Sequence, residues 1–266
     1  MKIKHISYHR RKKSTPWRKV SIGSWKPRGD SSCYSFEDIC VDQANDWCTK
    51  NDVALSSFIL KAVAASIAQK DQINSVVRFG KVYRRKSIRL FYHVLPSRTE
   101  DDLSGALFDE PQTKSVKALE EDFKRQLALI KAKKDNFAKG KKTFRYLPGA
   151  MARPSLNFLS FLMYTLNVYP FFVPAERDPF GSVMVTNIGS LGLTKGATPI
   201  APYTRIPMVI AIGKQEQRAV VENDEILKKT MMTFGFTFDH RILDGVHFAE
   251  FFDVLKSYFL NPETIE

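Results

Sequence analysis

A histidine close to the C-terminus, His240, has the setting of a general base. It follows a run of alternating apolar residues that predicts a strand, and it precedes a turn and an amphipathic helix. Such a junction can hold an imidazole in one orientation, and the unperturbed imidazole pKa suits base catalysis near neutral pH. A lone histidine at a strand end is also a common packing residue, so these residues alone leave both roles open.

Two residues of the same turn add to the pattern. Asp244 is predicted to fix the turn or to anchor an arginine. Gly245 is predicted to supply a backbone conformation that other residues avoid.

No metal site or nucleotide site is predicted. His5, His9 and His247 join no cysteine or carboxylate cluster with ligand spacing. The chain also lacks a Gly-Xaa-Ser-Xaa-Gly elbow, a phosphate loop and a dinucleotide fingerprint.

A second segment, residues 180–192, predicts a strand that ends in a hydroxyl residue, Thr186, and leads into a Gly-rich turn. Residues 186–192 read Thr-Asn-Ile-Gly-Ser-Leu-Gly, and residues 239–245 read Asp-His-Arg-Ile-Leu-Asp-Gly. Together they resemble the catalytic domain of the dihydrolipoamide acyltransferases, the E2 components of 2-oxo acid dehydrogenase complexes. That family has the motifs Ser-Asn-x-Gly-x-x-Gly and Asp-His-Arg-x-x-Asp-Gly at a similar separation.

The resemblance extends more weakly over roughly residues 17–262. It implies an α/β (α+β) fold, the chloramphenicol acetyltransferase-like mixed β-sheet sandwich flanked by helices. It also implies a CoA-dependent acyltransferase that moves an acyl group between a thioester and a thiol, of coenzyme A or dihydrolipoamide. Coenzyme A is then a substrate, and a lipoyl group takes part only if another protein supplies it.

The family's catalytic roles carry over to three residues. His240 is expected to deprotonate the thiol, and Thr186, where the family has serine, to donate a hydrogen bond to the tetrahedral oxyanion. Asp244 is expected to anchor the histidine turn rather than to relay protons. Around them, Asn187 and Gly189 are expected to shape the loop beside the thioester, with Arg241 in a structural ion pair and Gly245 in the turn.

The family also suggests how the chain assembles. Its members are trimers, or multiples of trimers, in which one subunit provides the histidine and its neighbour the hydroxyl residue. The sequence contains no lipoyl or subunit-binding domain, so the acyl carrier is expected on another protein or as free acyl-CoA. The alternative is a non-catalytic trimeric core of the same fold. This alternative stays open because Thr186 stands where the family has serine.

Charge divides the chain into a basic N-terminal arm, residues 1–29, and a single catalytic domain, residues 30–266. The arm holds ten Lys or Arg and no acidic residue, out of a net charge of +13 for 266 residues. Basic arms can bind nucleic acid or anionic surfaces, but no nucleic-acid reading motif accompanies this one, so a solvated tail is the preferred interpretation.

Residues 155–172 contain no charged side chain and approach membrane-spanning length. Asn157, Asn167 and Pro170 favour a buried or subunit-covering helix, with membrane contact as the alternative. Three cysteines, an odd number without zinc spacing, and the absence of an apolar signal region predict a reducing, cytoplasmic setting.

The elements that must position these residues are mixed strands and helices. Apolar periodicity predicts helices at 42–50, 54–69, from 113 onward and after the histidine turn, where one apolar stripe recurs. Strands are predicted at 33–41, 75–79, 81–83, 87–95, 182–187, 208–213, 219–222 and 230–238. A turn is predicted at 101–105.

Overall fold

The computed structural model describes residues 6–7, 31–95, 104–132, 134, 148–169 and 176–266. Its strands are β1 (Ser32–Cys40), β2 (Ser75–Arg78), β3 (Lys81–Arg84), β4 (Arg89–Val94), β5 (Ser104–Asp109), β6 (Val183–Asn187), β7 (Met208–Glu222) and β8 (Glu225–Asp239). Its α-helices are α1 (Asp42–Lys50), α2 (Leu55–Gln69), α3 (Val116–Lys131), α4 (Gly149–Ser160) and α5 (Gly245–Leu260).

One mixed sheet organises the molecule. Six strands follow the order β1-β8-β7-β6-β4-β5, and β2 and β3 form a separate hairpin. Strands β4, β6 and β7 run parallel to one another, and the other neighbouring pairs are antiparallel. The predicted mixed sheet with flanking helices is confirmed.

Helices α2 and α5 pack on one face of this sheet, over the phenylalanines of β8. Phe234 and Phe236 are fully buried there. The ring of Phe259 in α5 lies 5.6 Å from that of Phe234 and 5.4 Å from that of Phe58 in α2. Each buried phenylalanine contributes about 1.5–3 kcal/mol. This packing fixes the end of β8 and the start of α5, between which His240 lies.

Two parts of the sheet differ from the sequence-based expectation. Strand β5 was not predicted, and Ser104 and Gly105, placed in a turn by the sequence, begin it; residues 101–103 lie outside the described residues. Strand β7 is continuous over 15 residues where two strands were predicted. Its register with β8 shifts between Ile212 and Gln215, so an irregularity, not a chain break, interrupts the alternation.

The uncharged segment folds as the end of α4 followed by a π-helical turn, Phe161–Thr165. Met163 and Tyr164 are buried, whereas Phe158 and Phe161 are 59% and 44% exposed. Residues 170–172 lie outside the described part of the chain. The predicted buried helix is therefore only partly buried.

No single helix within the described ranges combines the length and the apolar character that a membrane span requires. Helices α1 and α2 meet the length and composition criteria only as a pair bent by 113°.

Most of the basic arm, residues 1–5 and 8–30, lies outside the described ranges. The described Ile6 is buried in a cluster with Val76, Met163 and Tyr164. Its backbone N–H donates to Asn167 Oδ1 at 2.6 Å, and its carbonyl accepts from Asn167 Nδ2 at 2.7 Å. At this residue the arm is anchored to the domain, where the sequence suggested a solvated tail.

Candidate active site

The backbone on both sides of His240 is tied to neighbouring segments. The Asp239 N–H donates to the Pro207 carbonyl at 2.8 Å, and the His240 N–H donates to the Ser31 carbonyl at 2.9 Å. The Asp239 carbonyl then accepts from the N–H groups of Ile242 and Leu243, at 2.9 and 3.0 Å. The turn that carries the imidazole is therefore a fixed part of the fold.

The imidazole of His240 is oriented by a contact with its own turn. Nδ1 lies 3.1 Å from the Leu243 carbonyl oxygen. A carbonyl only accepts hydrogen bonds, so this contact requires the proton on Nδ1 and puts the lone pair of the neutral ring on Nε2. The side chain is 31% exposed, which leaves it accessible to a reactant. This is the tautomer that a general base needs.

Asp244 holds the start of helix α5 rather than the His240 ring. It is the N-cap residue, with its side chain accepting from the backbone N–H of His247, while its own backbone N–H donates to His247 Nδ1 at 3.1 Å. Its Oδ1 lies 3.8 Å from His240 Nδ1, beyond hydrogen-bond distance. The geometry suits an anchor for the turn and not a proton relay.

Arg241 forms an ion pair with the preceding aspartate, Asp239. Its Nε lies 2.9 Å from Asp239 Oδ1 and its Nη2 2.5 Å from Oδ2. The Asp239 side chain, which is 6% exposed, also accepts from Ser31 Oγ at 3.1 Å. Burial alone would lower the pKa of Arg241, but the hydrogen bonds and charge of Asp239 outweigh it and raise that pKa. Arg241 thus stabilises the turn through its ion pair with Asp239.

Gly245 differs from its prediction. It is the first residue of α5, and its φ is not in the left-handed region that favours glycine. A Cβ placed on it would meet nothing within 4 Å among the described residues. The expectation of a special backbone conformation is wrong, because a helix-start conformation is open to most residues.

Thr186 lies near the end of β6, on the sheet face opposite to α2 and α5. In register it is flanked by His93 on β4 and by Ala211 on β7. Its hydroxyl makes no hydrogen bond to another described residue. The hydroxyl is therefore available to a ligand or to a reoriented neighbour.

The loop after Thr186 is shaped by Asn187 and Gly189. Asn187 Oδ1 accepts from the Ser190 N–H at 3.0 Å, and its carbonyl accepts from Ser190 Oγ at 2.7 Å. Burial raises the pKa of Tyr92 to about 12, partly offset by the hydrogen bond of Tyr92 with Asn187. A Cβ on Gly189 would lie 2.7 Å from the backbone of Gly213, so that close approach requires glycine.

Thr186 and His240 do not meet within one chain. Thr186 is paired in register with Ala211 on β7, and Ala211 is paired in register with Gly235 on β8. His240 follows Gly235 by five residues, about 17 Å along the strand direction and about 10 Å across it. Both side chains would have to lie about 3 Å from one carbonyl group to share a reaction. A single subunit cannot provide that arrangement.

Solved structures with the same architecture define the fold class of this chain. Chloramphenicol acetyltransferase has a TM-score of 0.54 at 9% identity, over 91% of this chain and 94% of that chain. The cubic core of the pyruvate dehydrogenase multienzyme complex gives 0.65 at 14% identity, over 94% and 88%. The dihydrolipoamide acetyltransferase of Azotobacter vinelandii, investigated for the roles of a serine, a histidine and an asparagine in its mechanism, gives 0.65 at 13%, over 88% and 83%. The chain has the chloramphenicol acetyltransferase-like fold, as expected.

The C-terminal third of the chain matches a protein-family model. Residues 179–266 match the family model of the 2-oxoacid dehydrogenases acyltransferase (catalytic domain). A similar relative is the dihydrolipoyllysine-residue acetyltransferase component of the pyruvate dehydrogenase complex of Rhizobium meliloti (strain 1021), 34% identical over 87 residues. That alignment covers 33% of this chain and only 19% of the relative. Residues 179–266 are therefore similar to the catalytic domain of these acyltransferases, and the predicted resemblance is confirmed for this part of the chain.

One residue of the site region was missed in the sequence. His93 is the neighbour of Thr186 across the β4–β6 ladder. Burial lowers its pKa to about 4. The available signal was a histidine inside the otherwise apolar strand Leu-Phe-Tyr-His-Val, but only the pairing of β4 with β6 gives that histidine a position beside Thr186.

Proposed function

We propose that the chain is a CoA-dependent acyltransferase that moves an acyl group between a thioester and a thiol, in the manner of the dihydrolipoamide acyltransferases. One observation carries the proposal: the His240 Nδ1 contact to the Leu243 carbonyl, which leaves Nε2 as the basic nitrogen on an accessible side chain. The family match over residues 179–266 includes both motifs.

His240 is the general base of this reaction. Its Nε2 takes the proton from the S–H group of the attacking thiol, and the sulfur bonds to the carbonyl carbon of the thioester. As the tetrahedral intermediate collapses, the bond to the leaving sulfur breaks and the imidazolium returns the proton to that thiolate. A free thiol with a pKa near 8.5 is only a few per cent thiolate at pH 7, so a positioned base typically gives about 10²–10⁴ in rate.

Thr186 is the donor to the oxyanion of the intermediate. Its hydroxyl has no other hydrogen bond within the described residues, and Asn187 and Gly189 hold the loop that follows. Losing one such donor costs about 10²–10³ in kcat.

The active site lies between two subunits, with His240 from one and Thr186 from the other. The separation of the two residues along β8 supports this arrangement, because no side-chain rotation spans it. A homotrimer or a multiple of trimers would give every subunit one such contact, and the similarity to the cubic core supports an assembly of that kind.

The substrates and setting follow from the same proposal. Acyl-CoA is one substrate, and a lipoyl group carried by another protein is the other. The catalytic unit is residues 30–266, with residues 1–29 as a basic arm. Cys33, Cys40 and Cys48 form no disulfide within the described residues, and a reducing, cytoplasmic compartment is the setting we propose.

A trimeric core without catalysis is the second candidate, and Thr186 favours it. Threonine keeps the hydroxyl of serine but adds a methyl group, which restricts the χ1 rotamers that aim the hydroxyl at a substrate. The serine studied in the Azotobacter vinelandii enzyme has no such group.

Transfer from acetyl-CoA to dihydrolipoamide tests the two candidates. We expect activity in the wild type and a loss of about 10²–10⁴ in kcat in His240→Ala, with unchanged circular dichroism and oligomer size. His247→Gln is the matched control, since glutamine at this position of a capping box keeps the bond to the Asp244 N–H. Equal turnover in His240→Ala and the wild type would refute the mechanism, and an inactive wild type would favour the non-catalytic core.

A further inference from the structure

His93 and Thr186 are adjacent residues on parallel strands. They are paired in register between β4 and β6, and side chains at such paired positions point to the same face of the sheet. The other residues of this row across the sheet are apolar or lack a side chain: Gly105, Ala211, Gly235 and Phe36. Within the row, His93 is the polar neighbour of Thr186.

The ring of His93 has a buried polar atom that the described residues leave unsatisfied. Nδ1 is shielded from solvent and has no hydrogen-bond partner among them. The ring stands edge-on to Phe91, with centroids 4.9 Å apart and planes at 77°. Burial keeps the imidazole neutral near pH 7, since its pKa is lowered to about 4. An orphaned buried nitrogen is costly, so a partner that it meets in another side-chain rotamer is expected.

Thr186 can be that partner. Neighbouring strands lie about 4.8 Å apart, and Nδ1 is two bonds from the His93 Cβ while the hydroxyl is one bond from the Thr186 Cβ. A change of χ1 at Thr186 therefore brings Oγ1 within reach of Nδ1.

We propose that His93 is a positioning residue for Thr186: its Nδ1–H donates to Thr186 Oγ1 and directs the hydroxyl proton at the thioester oxygen. The proposal rests on the function above, in which Thr186 stabilises the oxyanion. A hydroxyl has one proton, and an N–H bound to its lone pair prevents it from turning that proton to a nearby acceptor. Threonine restricts χ1 more than serine does, and the bond to His93 selects the productive rotamer.

Two substitutions at His93 separate positioning from packing. His93→Phe keeps an aromatic ring without a donor, and His93→Asn places an amide N–H near the Nδ1 position. We expect His93→Phe to lower kcat about tenfold with an unchanged KM for acetyl-CoA, and His93→Asn to stay within about threefold of the wild type. A raised KM with an unchanged kcat, or equal losses in both variants, would overturn the proposal.

A double-mutant cycle checks that His93 acts through Thr186. In a Thr186→Val background the hydroxyl is gone, so His93→Phe should lower kcat no further. An additional tenfold loss in that background would show that His93 acts on something else.

The tautomer of His93 gives a readout that needs no activity. In ¹⁵N-histidine-labelled protein we expect Nδ1 to be protonated, with a chemical shift that changes in Thr186→Val. An Nε2–H tautomer, or an Nδ1 signal indifferent to that substitution, would refute the hydrogen bond. An inactive wild type would refute the proposed function alone, and the tautomer would then decide the contact independently.

Discussion

The active site that we propose between subunits makes a quantitative prediction for mixed oligomers. His240→Ala and Thr186→Val chains, each inactive alone, should recover activity when they assemble together. In a closed ring, each interface joins the histidine side of one subunit to the hydroxyl side of the next. Only the interfaces that pair the histidine of a Thr186→Val chain with the threonine of a His240→Ala chain are complete.

The expected recovery follows from the separation of the two residues. His240 lies about 17 Å along the strand direction from the level of Thr186, so no site forms inside one chain. With equal amounts and random assembly, about one quarter of the interfaces contain both functional residues, whatever the number of subunits in the ring. Against single variants reduced about a hundredfold or more, a quarter of wild-type activity is a large signal.

A second mixture serves as the control for the location of the site. Wild type is co-expressed with a chain that carries both substitutions. A site between subunits gives about one quarter of wild-type activity in both mixtures. A site within one chain gives about one half in the control and none above background in the first mixture.

The measurement is acetyl transfer per chain, on oligomers whose composition is verified by native mass spectrometry. Mixed oligomers that contain both variants yet remain as inactive as the single variants would refute the shared site. That outcome would also remove Thr186 as the partner of His240.

Two further predictions concern stability. Burial lowers the pKa of His93 from 6.5 to about 4. Between these pH values His93 is protonated in the unfolded chain but largely neutral in the folded chain. The free energy of unfolding should therefore fall by about 3 kcal/mol as the pH drops from 6.5 to 4. Urea unfolding of the wild type and His93→Phe at several pH values should show this additional fall in the wild type only, on top of the fall that carboxylates such as Asp38 and Asp42 cause in both proteins. Parallel curves would contradict the prediction. Asp239→Asn removes the carboxylate that pairs with Arg241 and should cost about 3–5 kcal/mol, with a melting temperature lower by several degrees. Ser31→Ala is the control: it removes only one hydrogen bond to that carboxylate and should lower the free energy of unfolding by about 1 kcal/mol. Equal melting temperatures for Asp239→Asn and Ser31→Ala would show that the ion pair is not a major stabilising contact.

Much of the fold could be read from the sequence because apolar periodicity is a local property. The bounds predicted for the helix at 42–50 agree with α1, and the alternation of Phe234, Phe236 and Phe238 identifies the face of β8 that packs against α5. Strand β5 escaped prediction because its partner β4 decides its pairing, and its own residues also suit a turn. Strand β7 was divided in two because the shift after Ile212 interrupts the alternation without ending the strand.

The sequence by itself determined which residues are candidates for the catalytic site. The order Asp-His-Arg-Ile-Leu-Asp-Gly and the Thr-Asn-Ile-Gly turn depend on a few adjacent residues, and their family resemblance needs no tertiary structure. Only the tertiary structure decided how these residues relate in space. Sheet register separates Thr186 from His240, and it places His93 beside Thr186 although 93 residues separate them in the chain. Strand pairing joins residues that are distant in sequence, and no local pattern of side chains encodes which pairs will meet.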